Sequence, residues 1–228
     1  MSPDHRSEIG VTGPPPSGAP VLLALRPAEE PAAWEVAGFS VVDGVVMVGP
    51  VGIECRGTLH DGPLSLAFDR LHPEGTEHLD GIVWAVASSG PGRGPAAHAN
   101  GIDGFDHLVI MAPDLTRVRS SLTGAGFEIR RERPTTMAGT EVTQLFCFAG
   151  DVLLEVVAAS DETGPAASNR PATVWGIALT STDLDATAAW FGKRIGSPKD
   201  AVQSGRRIAT VRHREIGIGL PIAVMSAR

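Results

Sequence analysis

FDHLVIMAPDLTRVRSSLTGAGFEIRRERPTT (Phe105–Thr136) and, after a short gap, EVTQLFCFAGDVLLEVVAAS (Glu141–Ser160) decide the fold. An apolar strand-like run leads into a segment in which Leu115, Val118, Leu122 and Ala125 recur at three- and four-residue spacing. That spacing gives one apolar helix face. Asp114 is placed to cap the helix start, and Gly126 to end it by taking a left-handed conformation. Three further strand-like runs follow, rich in β-branched and aromatic residues. His107 sits early in the first strand and Glu155 interrupts the last. Arg130, Arg131 and Arg133 read as a solvated strand face or edge.

The same pattern restarts downstream. VWGIALTSTDLDATAAWFGKRIG (Val174–Gly196) lies over Phe105–Phe127 at one offset, with Asp183 on Asp114 and Leu184 on Leu115. RRIATVRH and GLPIAVMS then supply strands where QLFCF and DVLLEVV stood. The region before Ser88 follows the plan more loosely. It shows a short strand from Val21 to Leu25, a helix expected from Pro27 to Phe39 and ended by Gly38, and strands split at Asp43-Gly44, a two-residue hairpin signal. Glu29 and Glu30 are expected to favour that helix start electrostatically. PLSLAFDRL and GIVWAVAS read as two more strands.

Repetition therefore predicts an α+β fold of repeated βαβββ units whose strands form a curved, cup-like mixed sheet with the helices outside. The expected division is a flexible tail at 1–19, a degenerate N-terminal unit at 20–88 and a Pro/Gly-rich linker at 89–103. A central unit at 104–160, a linker at 161–171 and a C-terminal unit at 172–228 complete it.

Composition narrows the function. The chain has 228 residues, 43% hydrophobic and 20% charged, which is ordinary for a globular protein able to bury a core. A formal net charge of −7 and the lack of Tyr argue against nucleic acid as a partner. No apolar run reaches the ~18 residues of a membrane span, and the N-terminal stretch lacks the apolar core of a secretory signal, so a cytoplasmic location is expected. Cys55 and Cys147, in separate apolar runs, read as buried small hydrophobes. His5 in the tail, and His60, His72 and His78 around a polar connection, lack metal-ligand spacing and read as solvated residues. No phosphate-binding Gly-rich loop, Gly-x-Ser-x-Gly elbow or paired-histidine helix is present.

FDHLVIMAPDL with its helix, DVLLEVV one unit later, and the repetition resemble the vicinal oxygen chelate superfamily of glyoxalases, extradiol dioxygenases, methylmalonyl-CoA epimerases and bleomycin-resistance proteins. GIDGFDHLVI, PATVWGIAL and SGRRIATVR resemble glyoxalase-like proteins of the actinobacterial type. The resemblance implies a small-molecule ligand in the cup and one divalent metal (Fe, Mn, Ni or Zn) held from the first and last strands of paired units. By position the ligands are His107 and Glu155, with Glu155 also the candidate catalytic base. The matching positions in the last unit are Gly176 and Pro221, which supply no side-chain donor. Gln144 and His213 are candidates for a third ligand.

Gln144, Trp175 and Arg206 are candidate substrate contacts; Arg206 or Arg207 turned inward would meet a ligand carboxylate or phosphate. Trp190 is expected in the core. Two functions stay open: metal-dependent lyase, isomerase or dioxygenase chemistry, and metal-free sequestration of the bleomycin-resistance type. A homodimer is expected.

Overall fold

The computed structural model describes residues 18–57, 64–72, 78–92, 94–159 and 170–227. His5, His60 and most of the tail and of the 161–171 linker lie outside the described residues.

Two mixed sheets carry the chain. In the first half, β1 (Val21–Arg26), α1 (Pro31–Val36), β2 (Val41–Val42), β3 (Val45–Val48) and β4 (Val51–Glu54) form a complete βαβββ unit. Three more strands, β5 (Ser65–Asp69), β6 (His78–Leu79) and β7 (Ile82–Val86), extend that sheet without a helix among the described residues, in the order β2-β3-β4-β1-β5-β7-β6. Asp43 and Gly44 both take positive φ (49° and 75°), as the tight connection between β2 and β3 requires. The first helix is shorter than the sequence suggests. Pro31, not Pro27, occupies its first turn, and Glu30 is the N-cap residue without a side-chain capping bond.

The second half is an eight-stranded sheet in the order β13-β14-β15-β12-β8-β11-β10-β9. One unit comprises β8 (Ile102–Ala112), α2 (Leu115–Gly124), β9 (Arg131–Met137), β10 (Thr140–Ala149) and β11 (Val152–Ala159). The other comprises β12 (Thr173–Ser181), α3 (Leu184–Phe191), β13 (Lys199–Asp200), β14 (Arg207–Thr210) and β15 (Ile222–Ser226). In each, the first strand runs parallel to the last: β8 beside β11, β12 beside β15. The two first strands pair antiparallel at the centre, Ile177 opposite Leu108 and Ala178 opposite His107.

Strand alternation separates two faces. Leu108, Ile110, Leu145, Cys147, Leu154 and Val156 are buried in one large apolar cluster. Val118, Leu122 and Ala125 of the α2 region join it, so the periodic face read from the sequence is the face that packs. Trp34, Val46, Phe68 and Trp84 of the first sheet lie in the same cluster. On the opposite face, Phe146, Phe148 and Leu153 form a small separate cluster.

Trp190 departs from expectation. It is 36% exposed, with its ring directly over Gly38 and the Arg194 guanidinium 5.2 Å from its centroid. It joins the two halves at their surface instead of filling the core.

Candidate functional site

A cavity of about 500 Å³ opens on the face opposite the helices. Arg131 and Arg133 of the edge strand β9, and Lys199 and Asp200 of the other edge strand β13, line the same space. The two ends of an eight-stranded sheet can share one cavity only if the sheet curls, so the strands form a cup. His107, Gln144, Phe146, Glu155, Ile208, Thr210 and Met225 line it between the rims.

His107 and Glu155 therefore look into one hollow. His107 is placed by β8 and held by its neighbour: its Nδ1 lies 2.8 Å from Asp106 Oδ2. That contact leaves Nε2 as the ring nitrogen for a ligand. Asp106 is itself buried and ion-paired to Arg206 at 2.8 Å. Burial raises the Asp106 carboxyl pKa, but His107 and Arg206 outweigh it and hold the group below the ordinary carboxylate range.

Glu155 stands between Leu154 and Val156, which point to the core, so alternation turns it to the cup. A half-buried carboxylate needs donors. Gln144 Nε2 donates to Glu155 Oε1 at 2.5 Å, and Arg133 donates to Gln144 Oε1 through Nε at 2.9 Å and through a terminal nitrogen at 2.5 Å. Strand register makes this chain: Arg133 is opposite Gln144 on β9 and β10, and Glu155 is opposite Phe146 on β11.

Three candidate residues are placed elsewhere. Arg206 is 3% exposed and does not line the cavity; its side chain pairs with Asp106 and donates twice to the Ser226 carbonyl. The inward anion-binding arginine expected there is a structural one, because a charge this deep must be spent on a buried partner. Trp175 is 59% exposed and is not part of the cavity wall. His213 donates from Nδ1 to the Ile218 carbonyl oxygen at 2.7 Å, within its own loop, and also lies outside the wall. Cys55 and Cys147 are not nucleophiles at neutral pH, since burial pushes both thiols up to about 12.

Conversely, Arg131, Arg133 and Lys199 belong to the wall although the charge run at 130–133 reads as solvated. Their signal was the two-residue spacing of Arg131 and Arg133, which puts both on one face of a strand.

Among the described residues, the donors present do not make up the ligand set of a resident catalytic metal. Such a site needs about three protein ligands. Among the described residues no group of three His, Cys, Asp or Glu side chains converges. Gln144, a third donor by position, has its amide oxygen taken by Arg133. Where the last unit would supply its first-strand ligand, Gly176 packs against Pro221: a Cβ at 176 would lie 2.8 Å from the Pro221 carbonyl oxygen. The space a ligand side chain would use is filled by backbone.

Fold and cavity together define a glyoxalase-like cup. Residues 106–210 match the family model described as the glyoxalase/bleomycin resistance protein/dioxygenase superfamily. Over that stretch the chain is similar to this superfamily, the vicinal oxygen chelate proteins. A mutant 4-hydroxymandelate synthase from Streptomyces coelicolor is similar over 94% of this chain and 94% of that one, at 14% identity and a TM-score of 0.58. A xylose isomerase-like TIM barrel/4-hydroxyphenylpyruvate dioxygenase fusion protein is similar over 95% of this chain and 50% of that one, at 13% identity and a TM-score of 0.57. A methylmalonyl-CoA epimerase from Mycobacterium tuberculosis aligns over 58% of this chain and 93% of that one, at 17% identity and a TM-score of 0.44. At such identities the first two likenesses speak to fold alone. A search of curated protein sequences finds no match. No helix among the described residues is long and apolar enough to cross a membrane.

Proposed function

We propose that this chain binds a small organic molecule in the cup formed by its last two units and does so without a resident catalytic metal, as the bleomycin-resistance type of this fold does. The observation that supports this reading most is the pairing of a formed cavity with a ligand set cut in half. His107 and Glu155 keep the family positions, but Gly176 and Pro221 close on each other where the other two would stand. The volume falls within the ~300–1,000 Å³ typical of small-molecule sites. Its wall mixes apolar side chains with a few polar ones, a composition suited to holding an organic ligand in one orientation.

Glu155, the base candidate, is engaged by Gln144. In this reading it shapes the wall and anchors the Arg133–Gln144–Glu155 chain, rather than binding a cation.

Metal content after reconstitution tests the reading. The protein is incubated with Zn(II), Ni(II), Mn(II) or Fe(II), desalted and assayed beside His107→Ala and Glu155→Ala. Retention far below one equivalent, equal in all three proteins, is expected. One equivalent retained by the parent and lost from either variant would show that two side chains suffice with help from elsewhere, and would restore the metal-dependent lyase, isomerase or dioxygenase reading.

A further inference from the structure

We infer that the ligand of the cup is a small organic anion with an apolar body, its acidic group gripped between the two rims by Arg131, Arg133 and Lys199. This inference rests on the cup-binding reading above and specifies the ligand's chemical class.

The formal charge of the chain is −7, so a cationic cavity cannot be a by-product of overall composition. Yet three cationic side chains and two carboxylates line the cup. Glu155 accepts from Gln144, which is itself held by Arg133. Arg207, opposite Asp200 in the β13–β14 pair, is ion-paired to Asp185 at 2.8 Å and is not among the cavity-lining residues, so the wall itself holds three cations against two carboxylates. The balance that a ligand meets is therefore positive.

Position sharpens the point. Arg131 and Arg133 are two residues apart on β9, opposite Phe146 and Gln144 of β10. Both stand beside a cavity-lining partner, and Phe146 offers a flat apolar surface next to the Arg131 position. Lys199 reaches the same space from the far end of the sheet. Two guanidinium groups on one rim and an ammonium on the other form a clamp for a carboxylate, sulfonate or phosphate. Phe146, Ile208, Met225 and Val202 provide apolar surface for the remainder of the molecule. Val202 is 91% exposed while lining the cavity, so it gains contact only when something occupies the space beside it.

A matched pair of fluorescent probes separates charge from shape. 8-Anilinonaphthalene-1-sulfonate and N-phenyl-1-naphthylamine share an apolar body and differ by one sulfonate. Titration of the full chain with each, at low salt, gives two dissociation constants. The anion should bind about tenfold more tightly, the scale of one charge-assisted hydrogen bond. Arg131→Gln with Lys199→Gln should remove most of that margin, weakening the sulfonate probe far more than the uncharged one. Arg133 is kept because it also positions Gln144. Far-UV circular dichroism checks that the variant folds. Independently of any variant, raising salt should weaken the sulfonate probe and spare the neutral one.

Equal affinity for the two probes would overturn the anion assignment while leaving the cup as a binding site. A preference for the anion that survives the double substitution undiminished would overturn the parts assigned to Arg131 and Lys199. Failure of both probes to bind would overturn the cup-binding reading itself.

Discussion

Arg206 shows how far a single residue's role depends on what lies under it. Type and place leave two readings of the GRR turn before a strand, an exposed pair of arginines or one of them turned inward to bind an anion. The structure spends this guanidinium on Asp106, which in turn holds the His107 ring. Asp106 is only 6% exposed, so removing the arginine deprives a carboxylate that water barely reaches of its guanidinium partner. Arg206→Ala should cost about 3–5 kcal/mol, the usual penalty for breaking a buried ion pair from one side. Urea unfolding of parent and variant measures it; a loss below about 1 kcal/mol, the worth of an exposed pair, would mean that the Asp106 carboxylate is solvated. The sequence made Asp106 visible only as a neighbour of His107. Nothing local could reveal a partner one hundred positions away.

Elements were more legible than side-chain roles, because their causes are local. Asp114 and Asp183 show it best. The repeat offset lays one on the other, and each is an N-cap whose carboxylate accepts from the backbone amide three residues on, Arg117 at 2.7 Å and Ala186 at 2.9 Å. Asp114→Ala and Asp183→Ala should each lower stability by about 1 kcal/mol. The pair should be additive within about 0.5 kcal/mol, since the two helices belong to different units and share no capping partner. Urea denaturation of both single variants and the double variant checks this; an additional loss well beyond that margin would show the helices to be coupled. Where tertiary context outweighed local signals, the reading slipped. Glu29 does not support the start of α1; its Oε1 accepts from the Gly219 and Leu220 amides. The arginines of β9 lie on an edge strand, as their charge suggested, but the edge curls over a cavity. Curvature arises from the whole sheet and leaves no mark in a single strand's sequence.

At the scale of the whole molecule, a short segment ahead of β8 fastens the first half to the second. Its sequence is that of a plain Pro/Gly-rich boundary, but its C-terminal part is tied down. Asn100 donates to the Ala37 carbonyl at 2.8 Å, and the His98 ring packs edge-on to Phe39 at 5.0 Å. The Ser40 amide donates to His98 Nδ1 at 3.1 Å, so that nitrogen must be unprotonated, and Nε2–H is left to donate to the Met47 carbonyl at 2.9 Å. Burial lowers the His98 pKa from its ordinary value, and the Met47 bond opposes that only in part. A proton on Nδ1 would also break the Ser40 bond. The sign follows by linkage: the unfolded chain binds this proton more readily than the folded one. The contribution of His98 is complete above the unfolded-state value near ~6.5 and is lost as pH falls from there toward the lower folded value. The urea midpoint should therefore drop between pH 7.5 and pH 5.5, and His98→Gln, which cannot titrate, should show a smaller drop. Equal drops in the two proteins would mean that the ring takes up a proton without disturbing the junction, and the account of how the halves are joined would have to be rebuilt around Asn100 and the Trp190–Gly38 contact.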